Sequence, residues 1–247
     1  MSVSPHSSHT EPATAAQHAF EPPLPVQFKG SRLCAWLVRC IGWRYAFDGL
    51  PTQQGVIIGY PHTSNWDFVV VMLVKWAIGL PVKFFAKDSL FRFPLFGTWL
   101  ASLGAMPIDR SSPRGVVGEM VNTLQQHKQN GAYFWVGLSP EGTRKRTEGW
   151  KSGFYQLAWQ ADVPLGFLVI DYGNKFIGLN TFMRLSGDPQ ADYQRFVEIY
   201  DGVRGYHALQ GSPIQPLSAA PSSSALSSSS ATPSSSASPS SNTSHQP

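Results

Sequence analysis

Short apolar runs bounded by turn residues alternate with longer periodic segments through the middle of this chain, and this alternation restricts its fold more than any other feature. Apolar runs of about four to eight residues are typical of buried strands, whereas periodic segments longer than about ten residues are typical of helices. A chain that alternates the two builds a mostly parallel sheet flanked by helices. We therefore predict an α/β fold, with the chemically active residues in loops that follow the carboxyl ends of strands.

The pattern predicts helices and strands throughout the central part of the sequence. The strands are predicted at 55–60, 82–86, 105–108, 132–138, 164–170 and 175–179. The helices are predicted at 31–43, 64–79, 93–103, 114–129, 151–161 and from 188 to near 205. The last helix is predicted to start at this point because Asp188 is a preferred N-cap residue and Pro189 suits the first turn.

The two ends of the chain differ in composition from the middle. Residues 1–25 mix Pro, Ala, Ser and His without apolar periodicity, and residues 205–247 contain no Asp, Glu, Lys or Arg. Segments of this kind cannot bury enough apolar surface to offset the loss of chain entropy on folding. We therefore predict disordered tails at 1–25 and 205–247 on either side of one folded domain at 26–204.

The charge of the chain is unevenly distributed. Nineteen Lys and Arg against 15 Asp and Glu give a formal net charge of +4, and residues 29–114 carry most of the excess. This asymmetry indicates either an anionic partner, such as a phosphate-bearing molecule, or a basic face exposed to solvent. The basic residues are not interleaved into a nucleic-acid-binding motif, so we do not expect a nucleic acid partner.

No segment of the sequence resembles a membrane span. The most apolar stretch, residues 68–82, is interrupted by Lys75 and Pro81. It is also shorter than the roughly 20 apolar residues that a spanning helix needs. No apolar run follows a positive start, so we also expect no secretory signal. We predict that the protein is not an integral membrane protein.

The predicted helix at 31–43 has two interpretations. It combines Arg32 and Arg39 with Trp and Leu side chains, which is typical of helices that lie at a bilayer interface. The same pattern fits a helix docked on the protein's own core. Its cysteines, Cys34 and Cys40, form no C-x-x-C pair, so we expect no metal site of that kind.

A histidine and an aspartate follow the strand predicted at 55–60, in the sequence PHTSNWD at 61–67. His62 and Asp67 can meet if the histidine lies in the loop and the aspartate in the first helical turn. An Asp bonded to one imidazole nitrogen fixes the tautomer, and the other nitrogen becomes a general base. Without a nucleophile beside it, this pair suits direct attack by a substrate hydroxyl. The alternative is that Asp67 only caps the helix together with Ser64.

Further polar residues follow three other predicted strands. The sequence Glu141-Gly142-Thr143-Arg144-Lys145-Arg146 follows the strand at 132–138 and combines three cations, a hydroxyl and a glycine, as in a phosphate cradle. Lys87 follows the strand at 82–86, and Arg110 follows the strand at 105–108. The alternatives are a charged turn at 141–144, an exposed lysine at 87 and an ion pair between Asp109 and a neighbouring arginine.

Taken together, these segments resemble the lysophosphatidic acid (1-acyl-sn-glycerol-3-phosphate) acyltransferase family. Its sequence blocks occur here in order, as His62-x4-Asp67, Gly104-x3-Ile108-Asp109-Arg110, Pro140-Glu141-Gly142-Thr143-Arg144 and Val163-Pro164. The resemblance spans roughly residues 50–185 and implies a glycerolipid acyltransferase-like fold. Pro107 and Ser139 stand where the family often has Phe.

The resemblance implies an enzyme in which His62 is the base and Asp67 orients it. It implies a site for the acceptor's glycerol phosphate at Arg110, Glu141, Gly142, Thr143 and Arg144, to which the position of Lys87 after a strand adds a further candidate ligand. The acyl donor would be acyl-CoA or acyl carrier protein, the product phosphatidic acid, and no metal or other cofactor is implied. A peripheral position on the cytoplasmic face of a membrane follows from the lipid substrate.

Several functions other than this one remain open from the sequence. The acceptor could be another lysolipid or glycerol 3-phosphate, or the chain could be a non-catalytic membrane-binding relative. A hydrolase in which His62 activates water is a third possibility, although no G-x-S-x-G nucleophile motif is present. Four aromatic residues are candidates either for an acyl channel or for the core, namely Phe84, Phe85, Trp99 and Trp135.

Overall fold

A computed structural model describes residues 20–26, 28–108 and 113–217, and in these ranges one seven-stranded sheet is flanked by helices. Its strands are β1 (Arg44–Ala46), β2 (Gln54–Tyr60), β3 (Val82–Lys87), β4 (Ala105–Ile108), β5 (Phe134–Leu138), β6 (Leu165–Asp171) and β7 (Phe176–Met183). Its helices are α1 (Arg32–Cys40), α2 (Asn65–Ile78), α3 (Pro94–Ser102), α4 (Pro113–Gln129), α5 (Gly153–Ala161) and α6 (Pro189–Ile199). Short 3₁₀ turns occupy Asp88–Arg92 and Ala208–Gln210.

The strand order is β1-β7-β6-β2-β5-β3-β4. The five strands from β6 to β4 are mutually parallel, whereas β7 runs antiparallel to β6, and β1 pairs parallel with β7. The prediction of a mostly parallel α/β fold is therefore confirmed. The three-residue strand β1 was not predicted, because so short a run carries no periodicity.

Helices cover both faces of the sheet. On one face, Val56 and Ile58 of β2 pack with Leu124 of α4 and Phe196 of α6. On the other face, Val38 of α1 packs with α2 and with strands β6 and β7. The helix α3 joins this second layer, because a cluster of buried side chains links it to α2 and β4. Strand β2 thus lies between two helical layers, and its carboxyl end is held from both sides.

A cluster of aromatic rings, in which Trp150 and Tyr200 are buried and Tyr60 is partly buried, fixes the carboxyl end of β2. The Tyr60 ring lies 5.1 Å from both Trp150 and Tyr200, measured between ring centroids. The Tyr200 hydroxyl donates a hydrogen bond of 2.9 Å to the carbonyl oxygen of Ile58. Aromatic pairs at these separations add about 0.5–1.5 kcal/mol each beyond the burial of their surface. The loop that follows Tyr60 therefore starts from a rigid point.

The folded part of the chain extends beyond the predicted limits of 26 and 204. At the N-terminal side, the amide of Leu24 donates to the carbonyl of Leu50. At the C-terminal side, the amide of Leu217 donates to the carbonyl of Trp150. These contacts are made by backbone groups, which leave no trace in composition. Residues 1–19 and 218–247, the rest of the two predicted tails, lie outside the described residues.

Candidate active site

The loop between β2 and α2 carries the predicted His-Asp pair. It follows the carboxyl end of β2, near the middle of the sheet, and α2 begins directly after it at Asn65. Ser64 is the N-cap of α2, and its hydroxyl accepts a hydrogen bond from the Trp66 amide. The sequence folds this way because Ser is a strong N-cap residue and the chain before it is extended. The cap brings Asp67 to the first turn of the helix.

The structure brings His62 and Asp67 together. The ring atom Nδ1 of His62 lies 3.1 Å from Oδ2 of Asp67. The same oxygen accepts hydrogen bonds from the amides of Thr63 at 2.7 Å and Ser64 at 2.8 Å. The Asp67 side chain is buried, whereas 28% of the His62 side chain is exposed. Asp67 therefore caps the helix and holds the imidazole at once, so the two sequence interpretations do not exclude each other.

The surroundings of Asp67 favour its charged form. Burial opposes ionisation, but the hydrogen bonds from His62 and from the Ser64 amide outweigh it and lower the pKa of Asp67. A carboxylate accepts hydrogen bonds and does not donate them, so Nδ1 of His62 must be the donor. The other ring nitrogen, Nε2, then has a lone pair with which to accept a proton. The catalytic roles of both residues stay predictions.

Tyr172 is a neighbour of the pair that sequence reasoning missed. Its hydroxyl faces Asp67, and both this hydroxyl and Oδ1 of Asp67 are buried. Burial and the nearby Asp67 charge raise the pKa of Tyr172, so its phenol remains a hydrogen-bond donor. No motif marks this tyrosine, which follows β6 and meets Asp67 only through the tertiary fold.

Glu141 lies beneath the same loop and not at its surface. Its Oε2 accepts a hydrogen bond of 2.7 Å from the His62 amide, and its Oε1 accepts one of 2.9 Å from the Ser212 amide. The side chain is only 1% exposed, and burial raises its pKa despite these two hydrogen bonds. The structure thus differs from the expectation that Glu141 surrounds a phosphate: both of its oxygens bind backbone amides.

The other residues predicted for phosphate binding are placed differently from one another. Gly142 forms a turn at φ +65°, and an added Cβ would lie 2.9 Å from the side chain of Lys151. The Thr143 hydroxyl accepts a hydrogen bond from the amide of Lys145, two residues later. Arg144 is exposed, and its guanidinium donates to the side-chain oxygen of Asn65 at the start of α2. Arg144 is therefore the member of this group that places a positive charge next to the His62 loop.

Two predicted anion ligands are not described in full. Lys87 is the last residue of β3, and its side chain lies outside the described part of the structure. Arg110 lies in the undescribed range 109–112. Their assignment to a phosphate site stays a prediction.

An apolar cavity of about 240 Å³ lies between α2 and the sheet. His62, Asp67 and Ser139 line it where α2 begins, and Ile78 lines it where α2 ends. At 1.5 Å per residue, the helix from Asp67 to Ile78 measures about 16 Å. Its other lining residues are predominantly apolar and include Ile57, Val71, Phe84, Phe85, Leu168 and Leu179. The cavity is therefore elongated and hydrophobic, with the His-Asp pair at one end.

Two polar groups in the wall of this cavity stand out. The Ser139 hydroxyl is buried and has no hydrogen-bond partner within the described ranges. The ammonium group of Lys75 donates to the carbonyl oxygen of Leu103 at 2.9 Å, and burial lowers its pKa. Of the aromatic candidates for a channel, Trp99 is exposed and Trp135 is buried in the core.

A polar cleft of about 460 Å³ adjoins the same loop. One wall is formed by Thr63 to Trp66 and by Arg144, which is bonded to Asn65. The remaining lining residues are Tyr206, His207 and Gln210. The last three lie in the segment that was predicted to be a tail, so sequence reasoning missed them. The loop thus contributes to an apolar cavity and to a polar cleft.

Comparison with known proteins places this site within one family. The family model described as "Acyltransferase" matches residues 45–170, which run from the second residue of β1 to the last but one residue of β6. A 1-acyl-sn-glycerol-3-phosphate acyltransferase of Pseudomonas aeruginosa is 32% identical over 117 residues, covering 46% of this chain and 43% of that protein. An enzyme of the same name from Bacillus subtilis is 28% identical over 122 residues, covering 49% of this chain and 58% of that protein.

A solved structure is also similar. The 1-acyl-sn-glycerophosphate (LPA) acyltransferase PlsC of Thermotoga maritima matches with 17% identity and a TM-score of 0.42. The match covers 67% of this chain and 72% of that one. The chain spans about half the length of the curated relatives it matches.

We expect Glu141→Gln to destabilise the fold. An amide has one acceptor oxygen, so its nitrogen would face the N–H of either His62 or Ser212. Leaving a buried N–H without an acceptor costs about 1–3 kcal/mol. Urea denaturation should show this loss. Glu148→Gln, an exposed position in the same loop, should change stability by less than about 0.5 kcal/mol. Equal stability of the two variants would contradict the anchoring role of Glu141.

Proposed function

The chain belongs to the acyltransferase family, and from this premise we propose that it transfers a fatty acyl group from acyl-CoA or acyl carrier protein to the free hydroxyl of a lysophospholipid. The acceptor we propose is 1-acylglycerol 3-phosphate, which would give phosphatidic acid. The names of the relatives support this acceptor. The observation that carries the proposal is the His62–Asp67 pair at one end of an elongated apolar cavity.

In the proposed mechanism, Nε2 of His62 removes the proton of the acceptor hydroxyl as its oxygen attacks the thioester carbonyl. The tetrahedral intermediate then collapses, and His62 returns the proton to the departing thiolate. Asp67 keeps the imidazole oriented and stabilises the imidazolium that forms between these steps. The buried Ser139 hydroxyl is a suitable donor to the carbonyl oxygen as negative charge develops on it.

The apolar cavity suits the acyl chain of the donor. Its lining is mostly aliphatic and aromatic, and it extends from the His-Asp pair along α2. Burying each methylene group of a fatty chain contributes about 0.8 kcal/mol. A chain held there would present its thioester carbonyl beside His62. Holding both reactants in this way converts the reaction into an effectively unimolecular step.

Arg144 suits the phosphate of the acceptor. A guanidinium binds phosphate through two parallel hydrogen bonds, and Arg144 is exposed in the polar cleft next to the His62 loop. Arg110 is a further ligand implied by the resemblance of the sequence, and Lys87 is a further candidate from its position at the end of β3. A phosphate bound on this side would bring the acceptor hydroxyl towards the imidazole.

The face of the sheet that carries α1, α2 and α3 suits a membrane surface. None of the helices in the described part of the chain is long and apolar enough to cross a bilayer. Many large apolar side chains of these helices and of the turn before α3 are nonetheless exposed, namely Leu33, Trp36, Ile41, Trp66, Phe68, Val69, Trp76, Phe93, Leu95, Phe96 and Trp99. Arg32 and Arg39 of α1 add positive charge for anionic headgroups. We propose peripheral attachment to the cytoplasmic face of a membrane.

We expect His62→Ala to lower the rate of acyl transfer about 10²–10⁴-fold, the usual contribution of a positioned base. The assay would offer acyl-CoA and acyl carrier protein donors with lysophosphatidic acid, other lysolipids and glycerol 3-phosphate, and identify the products by mass spectrometry. His127→Ala removes an imidazole from α4, on the opposite face of the sheet, and should leave the rate unchanged.

Turnover near that of the wild type in folded His62→Ala protein would refute the base assignment. Release of free fatty acid by the wild type without an acceptor would indicate a hydrolase. Vesicle binding without any product would indicate a non-catalytic relative.

We expect Arg144→Ala to raise the KM for the phosphate-bearing acceptor and to leave the KM for the acyl donor nearly unchanged. The loss of a charge-assisted hydrogen-bond pair in an open cleft should change the acceptor KM about tenfold or more. Lys145→Ala removes the neighbouring charge of the same loop and is the matched control. An equal rise in both KM values would exclude Arg144 as an acceptor ligand.

Replacing both Leu33 and Trp36 with Ser should weaken binding to vesicles of phosphatidylglycerol and phosphatidylcholine at least tenfold. Each large apolar side chain that enters a bilayer contributes about 1.5–3 kcal/mol. Sedimentation with vesicles measures the bound fraction. Trp159→Ser is the control, because Trp159 is 50% exposed, similar to Trp36 at 59%, but lies on α5 and the opposite face. Equal binding of both proteins would rule out α1 as the contact surface.

A further inference from the structure

The segment that follows α6 crosses back over the loop that carries His62. We name residues 205–212 the C-terminal strap. At its start, Gly205 packs so closely that an added Cβ would lie 2.8 Å from the Thr63 hydroxyl oxygen. The His207 amide donates to this same oxygen at 3.1 Å. The Gln210 side-chain amide, with its nitrogen facing the loop, donates to the carbonyl oxygens of Arg144 at 3.0 Å and Thr63 at 3.3 Å.

The far end of the strap, at Gly211 and Ser212, is also held by hydrogen bonds. The Ser212 amide donates to Glu141, and the Ser212 carbonyl accepts a hydrogen bond of 3.0 Å from the Tyr60 hydroxyl. The guanidinium of Arg146 donates to the carbonyl of Gly211 at 2.8 Å. Ser212 itself is fully buried. Because both ends are fixed to the loops around His62, the residues between them form a fixed wall of the polar cleft.

The two walls of this cleft are chemically complementary to an anionic, oxygen-rich group. Arg144 supplies a permanent positive charge from the family's shared segment. Across the cleft, the strap contributes the His207 imidazole, whereas the Gln210 amide nitrogen is already bonded to the loop carbonyls. A phosphate monoester offers acceptor oxygens on several sides at once, so it can bond to donors on both walls. An apolar group would bind poorly here, because it would displace water from these polar side chains without replacing the lost hydrogen bonds.

The strap lies outside the part of the chain that defines the family. The family model ends at residue 170, whereas the strap begins at 205. The His-Asp pair and Arg144 therefore lie within the matched residues, and the opposite wall of the cleft lies beyond them. Because the strap lies outside the segment that carries the His-Asp pair, its residues can determine which substrate binds without changing the residues proposed to act on it.

We propose that the C-terminal strap is a substrate-binding element, in which the His207 ring hydrogen-bonds the phosphate monoester of the acceptor opposite Arg144. This inference rests on the proposed function for its acceptor. The phosphate then bridges the two walls, and His207 selects lysolipids with a terminal phosphate over those without one.

The first experiment compares His207→Ala, His207→Gln and Leu209→Ala. Leu209 is an exposed strap residue that does not line the cleft, so it is the matched control. We expect His207→Ala to raise the KM for lysophosphatidic acid about tenfold, with little change for 1-acylglycerol, which lacks the phosphate. His207→Gln keeps a hydrogen-bond donor and should recover most of the loss. Leu209→Ala should match the wild type.

The donor provides a second source of the same chemistry, because CoA carries a phosphate monoester and the phosphopantetheine of acyl carrier protein does not. Each variant is therefore assayed with both donors. A rise in the KM for acyl-CoA alone would assign the cleft to the donor and overturn the proposal. An unchanged acceptor KM in a His207→Ala protein with the wild-type melting temperature would also overturn it.

A binding measurement separates this inference from the proposed function. Calorimetric titration with sn-glycerol 3-phosphate needs no turnover, and His207→Ala should weaken the wild-type affinity by a similar factor. Such weakening in a protein that transfers no acyl group would support the strap site while the acyltransferase proposal failed. Acyl transfer with equal glycerol 3-phosphate affinity in wild type and variant would overturn the strap site alone.

Discussion

One buried carboxylate oxygen organises the site. Oδ2 of Asp67 accepts hydrogen bonds from two loop amides and the His62 ring, so it fixes the loop, the start of α2 and the imidazole together. A buried carboxylate is costly unless such donors surround it. Glu141 has a similar role beneath the loop, where its carboxylate accepts hydrogen bonds from the amides of His62 and Ser212. The loop is thus held between two buried acids, and its geometry does not depend on a bound substrate.

This loop separates two environments with opposite properties. The cavity on the side of α2 is apolar, whereas the cleft beside Arg144 is polar and open. The proposed acyl transfer to a lysolipid would join a hydrocarbon chain to a molecule with a charged headgroup, so its substrates would have the same two-sided character. An imidazole held at the boundary can reach the bond that forms between the two parts. The fold achieves this with the end of β2, which the aromatic cluster holds, and with the capped start of α2.

The sequence predicted those features that depend on local pattern. The mostly parallel sheet follows from alternating strands and helices, and His62 and Asp67 are close because only a capped helical turn separates them. Contacts between distant segments left no such signal. Tyr172 reaches Asp67 only through the fold, and nothing in the local pattern distinguished Glu141 as a buried anchor from Glu141 as an exposed ligand. The strap was mistaken for a tail because backbone hydrogen bonds and a few polar side chains secure it, and neither requires an apolar pattern.

The backbone pairing of Leu217 with Trp150 sets a practical limit on how far the protein can be trimmed. A shortened version that ended where the charged residues end, at Arg204, would discard the partner of a buried glutamate and expose the edge of the aromatic cluster around Trp150. Expression, crystallisation and thermal assays made with such a version would report the properties of a protein that lacks these stabilising contacts. A boundary after residue 217 keeps every contact described here while removing the serine-rich remainder.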